Sequence, residues 1–351
     1  MLVVAALIAS LPTWLARSGR WKTLLSWAAP ELAGLVDAQT LDGGWWTPLR
    51  CQGVIVRDPS GAPLAEAAAL RLEKSLVGLW WGYPDLGTIT CEQARLHLVV
   101  RRDGSNLEDF LARLPAAQPG AQPRALALKL PDAAVHLDDR VSGRRWEAQP
   151  LTLDLTLPAA GERGSAQWQT MLRESPPGQP AAALPSPTAG APPAQVRGRL
   201  VWQPGSSPGL AALEASASLE SLPLAALTGI LQRLAGDVRL DGTLSSQAEM
   251  TWDLVAGHGR LVLKQLDAPL LRLTAPAYLG HDEPAVRLSD GTAELHVNGK
   301  RWELKQLALR SSLGTLSAEA RGQAFAPGGS ASVFPWLASL EGQLQGRFDL
   351  A

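Results

Sequence analysis

Apolar and polar residues alternate one by one along much of this chain, the period of a strand with one face buried and one wet. The clearest run is Leu151, Leu153, Leu155 and Leu157 against Thr152, Asp154 and Thr156. The same period predicts strands over 53–57, 64–73, 124–130, 134–137 and 146–157, and one long strand over 87–102 interrupted near Cys91. In the second half it predicts strands over 196–203, 213–219, 236–244, 250–254, 258–266, 271–275, 286–288, 292–298, 301–309, 313–322 and 340–350. Asp58-Pro59-Ser60-Gly61 and Asn298-Gly299 supply hairpin chemistry between neighbouring runs. Helical spacing is confined to short stretches: 24–35 with Pro30 as a break, 74–81, 107–114, a short segment at 166–172, and 223–234 with proline in its first turn. The predicted fold is mainly β: an elongated twisted antiparallel sheet curled into an apolar groove, with short amphipathic helices near the N-terminus and between strand groups.

One stretch sets the grammar for the rest. Leu96, Leu98 and Val100 alternate with the mainly polar set Arg95, His97, Val99 and Arg101, then Asp103-Gly104 offers a turn. Ser105 followed by Glu108 forms a capping box, and Leu107, Phe110, Leu111 and Leu114 give the helix one apolar face.

Composition narrows the function. The net charge of −1 leaves no basic excess to neutralise phosphates, which argues against nucleic acid as a partner. With 33 glycines, 27 prolines and 5% aromatic residues, the chain suits many short strands and turns. Thirteen of the aromatic residues are tryptophan, which fits packing at strand ends or contact with a membrane interface. Residues 158–195 are rich in proline and alanine and read as a flexible loop between a first β region, 17–157, and a second, 196–351. The alternating pattern still runs at the last residues, which predicts that the sheet continues beyond them. Residues 1–16 are apolar and uncharged, and as a helix would reach about 24 Å, short of the hydrocarbon core. A truncated membrane anchor, a signal-peptide core and a buried helix all fit that stretch.

No catalytic motif emerges. Nucleophile elbow, zinc-protease motif, phosphate loop and dinucleotide fingerprint are all missing, and no cofactor or metal is expected. His97, His136, His258, His281 and His296 are scattered singly and read as surface or edge residues. Asp138 and Asp139 read as part of a solvated, partly ion-paired loop. Cys51 and Cys91 are the only cysteines, and the sequence leaves their pairing open.

The strand ending in arginines, followed by Asp103-Gly104-Ser105-Asn106-Leu107-Glu108-Asp109-Phe110-Leu111, resembles the AsmA-like family of bacterial envelope proteins, of the TamB and YhdP kind. The helix at 223–234 followed by Gly236-Asp237-Val238-Arg239-Leu240-Asp241-Gly242-Thr243-Leu244 resembles it again. The resemblance implies a non-catalytic protein that conducts phospholipid along an apolar β-groove between inner and outer membrane. It also implies an N-terminal inner-membrane anchor, a periplasmic body, and an outer-membrane assembly protein as a partner. The groove floor would comprise Val54, Val56, Leu96, Leu98, Leu128, Leu130, Leu151, Leu153, Leu155, Val238, Leu240, Leu261 and Leu263. In the competing reading these residues are the core of a closed β-sandwich that acts as an envelope scaffold or protein-interaction module without lipid.

Overall fold

A computed structural model of the chain describes residues 22–23, 34–82, 85–113, 124–159, 161–175, 193–205, 210–229, 232, 239–274, 285–299, 301–312, 314–323 and 341–348. The predicted anchor at 1–16, residues 24–33 of the predicted helix at 24–35, Leu114, Val238 and His281 lie outside the described residues; Gly34 and Leu35, at the end of that predicted helix, form a turn instead. Two compact units result, Met1–Thr170 with Glu174–Leu184, and Met171–Arg173 with Pro185–Ala351. The fold is mainly β, with few short helices.

The first unit holds β1 (Val36–Asp37), β2 (Thr40–Asp42), β3 (Pro48–Arg57) and β4 (Pro63–Ser75). Helix α1 (Leu76–Trp81) follows, then β5 (Asp85–Glu92), β6 (Arg95–Arg101), β7 (Gly104–Ser105), helix α2 (Asn106–Leu111), β8 (Ala125–Asp139), β9 (Arg144–Leu157) and most of β10 (Gly164–Ser175), whose residues Met171–Arg173 group with the second unit. β1 and β2 both pair with β3, β3 with β4, and β8 with β9, all antiparallel. β5 and β6 share one position in the sheet, between β4 and β8, and the chain breaks between them where Gln93 takes φ 51°. The predicted interruption of the 87–102 strand is therefore real. Both pairings with β8 are parallel, which an all-antiparallel expectation did not include.

Asp58 fixes the β3–β4 hairpin by accepting from the Ser60 and Ala62 amides and the Ser60 hydroxyl. Ser75 Oγ accepts from Gly78 N–H and so caps α1, while Ser105 Oγ accepts from Glu108 N–H and caps α2. The face that α2 turns inward differs from the predicted one. Asn106 is buried and Leu111 is 53% exposed. Asn106 Oδ1 accepts from Val99 N–H at 2.9 Å and its Nδ2 donates to the His97 carbonyl at 2.8 Å. The side-chain amide thus supplies the two backbone groups of β6 with the partners a neighbouring strand would offer, so burying a polar residue costs little here.

The second unit is a run of hairpins: β11 (Ala194–Pro204), β12 (Leu210–Pro223), β13 (Arg239–Asp253), β14 (His258–Thr274), β15 (Ala285–Asn298), β16 (Arg301–Ser311), β17 (Gly314–Gln323) and β18 (Glu341–Phe348). Each pairs antiparallel with the next. Several predicted short strands fuse into these longer ones, because bulges such as those at Gly242–Ser245 and Ala268–Leu271 absorb the breaks in alternation. Asn298 pairs with Arg301, so Gly299 at φ 58° takes the first loop position and not the second, and the loop begins one residue later than an Asn-Gly turn would place it.

Other expectations are corrected. The segment at 166–172 is no helix: it lies within β10, and its burial alternates, with Gly164, Ala166 and Thr170 buried beside exposed Gln167 and Gln169. The loop predicted at 158–195 therefore contains a strand. The helix at 223–234 begins as a 3-10 turn, Leu224–Leu227. Asp138 and Asp139 end β8 instead of lying in a loop; Asp139 is buried and accepts from the amides of Val141 and Ser142. Asp138 is ion-paired with Arg140 and Arg145, as a partly paired carboxylate should be.

Candidate functional site

The registers gather the predicted apolar residues into rows that run across the strands. In the first unit Leu49, Leu72, Ile89, Leu128 and Leu155 are successive partners on β3, β4, β5, β8 and β9. Val56, Ala65, Leu96, Val135 and Ala148 form a second row, and Leu98, Leu137 and Trp146 a third. Leu130 faces Leu153, Ala133 faces Leu151, and Val54 faces Ala67. Between the first row and the others the apolar phase changes parity in every strand. Gly53 and Gln93 with positive φ mark that line, as do the register shifts of the β8–β9 pair beside Pro131 and Pro150. A bulge turns the next side chain through one phase, which keeps an apolar series on its side where a simple slip would reverse it.

The second unit repeats the arrangement more completely. Leu200, Ala215, Met250, Leu261, Leu295, Leu304 and Ala320 are partners in turn across β11 to β17. On one side lies the row Trp202, Leu213, Trp252, Gly259, Val297, Trp302 and Gly322. On the other lie Ala217, Ala248, Leu263, Ala293, Leu307 and Ala318. The glycines have a steric reason: a Cβ at Gly259 would stand 2.6 Å from the Trp252 ring, and one at Gly322 would stand 2.7 Å from Trp302. Each indole lies over the glycine of the next strand. Leu240 pairs with Leu273 further along the same hairpin.

Most of the larger side chains in these rows are apolar without being buried, although Ala133, Trp146 and Ala318 are buried. Val54, Val56, Leu96, Leu98, Leu128, Leu130, Leu151, Leu153, Leu155, Leu240 and Leu263 are all half-buried, and Leu261 is 40% exposed. Among the described residues Trp146, 1% exposed, is the one large side chain that is fully enclosed. A leucine at the centre of a two-layer core is normally excluded from water, so this side of each sheet retains apolar surface for a further occupant.

The polar side of the first unit carries what residue spacing did not reveal. His97 and His136 are partners on parallel strands, and His136 is the partner of Glu147. The two imidazoles stack with centroids 5.2 Å apart. Glu147 is buried; its Oε1 has no hydrogen-bond partner and lies 3.9 Å from His136 Nδ1. Burial lowers the His136 pKa below the usual imidazole value; Glu147 opposes this, and His97 and Arg95 reinforce it. The only sequence signal is that 97, 136 and 147 sit on polar phases of their strands, and the register that unites them is not local. A third histidine, His296, shares Glu294 with Arg260 at a half-buried position, and these partners hold the Glu294 carboxyl below its ordinary range. Among the described residues no group of three or more His, Cys, Asp or Glu side chains is arranged to hold a metal ion. Likewise, no helix among them is long and apolar enough to cross a membrane.

Comparison with known protein families finds no family to which the chain matches, and comparison with curated proteins finds no relative.

Proposed function

We propose that this chain is a non-catalytic lipid-conducting protein of the AsmA-like kind, in which the apolar side of the sheet holds phospholipid acyl chains while headgroups stay in water. The observation that carries the reading is the set of three adjacent cross-strand rows in the second unit, apolar at every position and still partly open at Leu261. Each acyl CH₂ taken from water onto such a surface gains about 0.8 kcal/mol. The rows contain no charged side chain, and their only side-chain hydrogen-bonding groups are the indole N–H donors of Trp202, Trp252 and Trp302, so no group along them anchors a lipid tightly and a chain can slide between positions. On this reading the body lies in the periplasm, tethered through residues 1–16 to the inner membrane, and passes lipid towards the outer membrane and its assembly proteins.

The test is native mass spectrometry with lipid extraction of the full chain expressed in a bacterial envelope, together with photo-crosslinking. A photoreactive residue at Leu261 or Leu263 should capture phospholipid, and one at Lys264 on the opposite phase should not. Leu151→Asp, Leu153→Asp and Leu155→Asp together should strip lipid from the first unit. A folded, lipid-free protein that crosslinks only to itself or to other proteins would replace this reading with that of a scaffold.

A further inference from the structure

Where this fold uses tryptophan for packing, it covers the ring: Trp146 is enclosed, and Trp252 and Trp302 lie over glycines. Trp46, Trp80 and Trp81 are different, at 74%, 82% and 76% exposed. Trp46 comes to Trp81 because the Gly43-Gly44 loop passes beside α1, with Gly44 and Trp45 carbonyls accepting from the Leu76 and Val77 amides. A side chain at Gly43 would overlap Leu49, so only glycine lets the loop through. The Trp46 and Trp81 rings then lie 6.4 Å apart, tilted by 52°. Helix α1, Leu-Val-Gly-Leu-Trp-Trp, carries no charge, and Lys74 beside it is neutralised by Asp85 at 2.6 Å.

We propose that this aromatic tip docks into the headgroup zone of a lipid bilayer. An indole joins an apolar body to a dipolar N–H, which suits the boundary between acyl chains and water better than either phase alone. Two of the rings stand on an uncharged helix whose neighbouring lysine is neutralised, which gives an electrostatic partner little to recognise, so the surface they fit is a zwitterionic one, and binding resists salt. Removing each indole from the tip weakens membrane binding about tenfold. The proposal is independent of the acyl-carrying role of the sheet, since a tip can dock whether or not the rows are occupied.

The experiment uses full-length protein labelled with 5-fluorotryptophan, with the three fluorine resonances assigned by Trp46→Phe, Trp80→Phe and Trp81→Phe. Phosphatidylcholine vesicles bearing a nitroxide on a shallow acyl carbon are then added, at low and high salt. The three resonances should broaden and become shielded from an aqueous gadolinium chelate at both salt levels, while the Trp146 resonance, which also reports the fold of each variant, stays unchanged. If they stay open to gadolinium while the vesicles are held through another part of the chain, the proposal fails. Shielding from gadolinium without lipid overturns it too, because the tip would then be covered by protein.

Discussion

His97 and His136 stack nearly parallel, 15° apart in plane, on adjacent strands that run in the same direction. Beyond His136 in the same row lies the buried Glu147 carboxylate. Burial lowers the His136 pKa, with His97 and Arg95 adding to the effect and Glu147 opposing it. The folded state therefore binds this proton less readily than the unfolded chain does. As pH falls through the ordinary value of 6.5 towards the lowered folded value, the unfolded state takes up more protons and stability is lost; below the folded value the loss levels off. Urea midpoints measured across that window should decline with pH, and His136→Gln should flatten the decline. Glu147→Gln, which removes the opposing charge, should drive the His136 titration lower still. An NMR titration placing His136 at or above 6.5 would contradict this account.

Asn106 is the residue whose role the sequence motif hid. Its amide completes two backbone hydrogen bonds of β6, so Asn106→Ala leaves Val99 N–H and the His97 carbonyl without those partners. The expected cost is about 2–4 kcal/mol in chemical denaturation, at about 1–3 kcal/mol per buried unsatisfied group with some relief from entering water. Asn106→Asp keeps the acceptor but sets a buried carboxylate oxygen against the His97 carbonyl, and should cost at least as much as the alanine variant at neutral pH. A change below about 0.5 kcal/mol for the alanine variant, the usual range for a surface substitution, would show that the amide is dispensable.

How far the sequence announces this structure depends on range. Alternation within a strand is local, so Leu151, Leu153 and Leu155 declare their common phase unaided, and a serine three residues before Glu108 declares a helix start. The β6–β8 register is set by pairing over some forty residues, and nothing near His97 says that His136 will lie beside it. Parallel pairing hides for the same reason. The segment at 166–172 misled because Ala166, Trp168, Met171 and Leu172 have helix-compatible spacing, whereas β10 gains partners only once β9 is in place. Cross-strand neighbours decided it over propensity.

Gly242 tests the bulge that keeps β13 in step with β14. Its φ is 125°, and a Cβ there would lie 1.8 Å from the Leu270 carbonyl oxygen, a backbone atom that cannot rotate away. Gly242→Ala should cost about 1–3 kcal/mol through backbone strain. Gly78→Ala in α1 is the control: its Cβ would meet nothing closer than 3.5 Å, and helix propensity predicts a gain of up to about 1 kcal/mol. Equal effects of the two on the denaturation midpoint would mean that conformation at Gly242 is unimportant.

Cys51 and Cys91 do not pair, and the sheet shows why. Both face Leu70, Cys51 from β3 and Cys91 from β5, so β4 stands between them. Two strand spacings are about 9.5 Å, beyond the reach of a disulfide without moving the backbone. Burial raises both thiol pKa values, which keeps the thiolate scarce at neutral pH. The native protein, purified from an oxidising compartment without reductant, should therefore react slowly with iodoacetamide and take up two carbamidomethyl groups once denatured. Recovery of a crosslinked Cys51–Cys91 peptide, 2 Da lighter than the free pair, would require β4 to leave its place in the sheet and would break the apolar rows that pass through it.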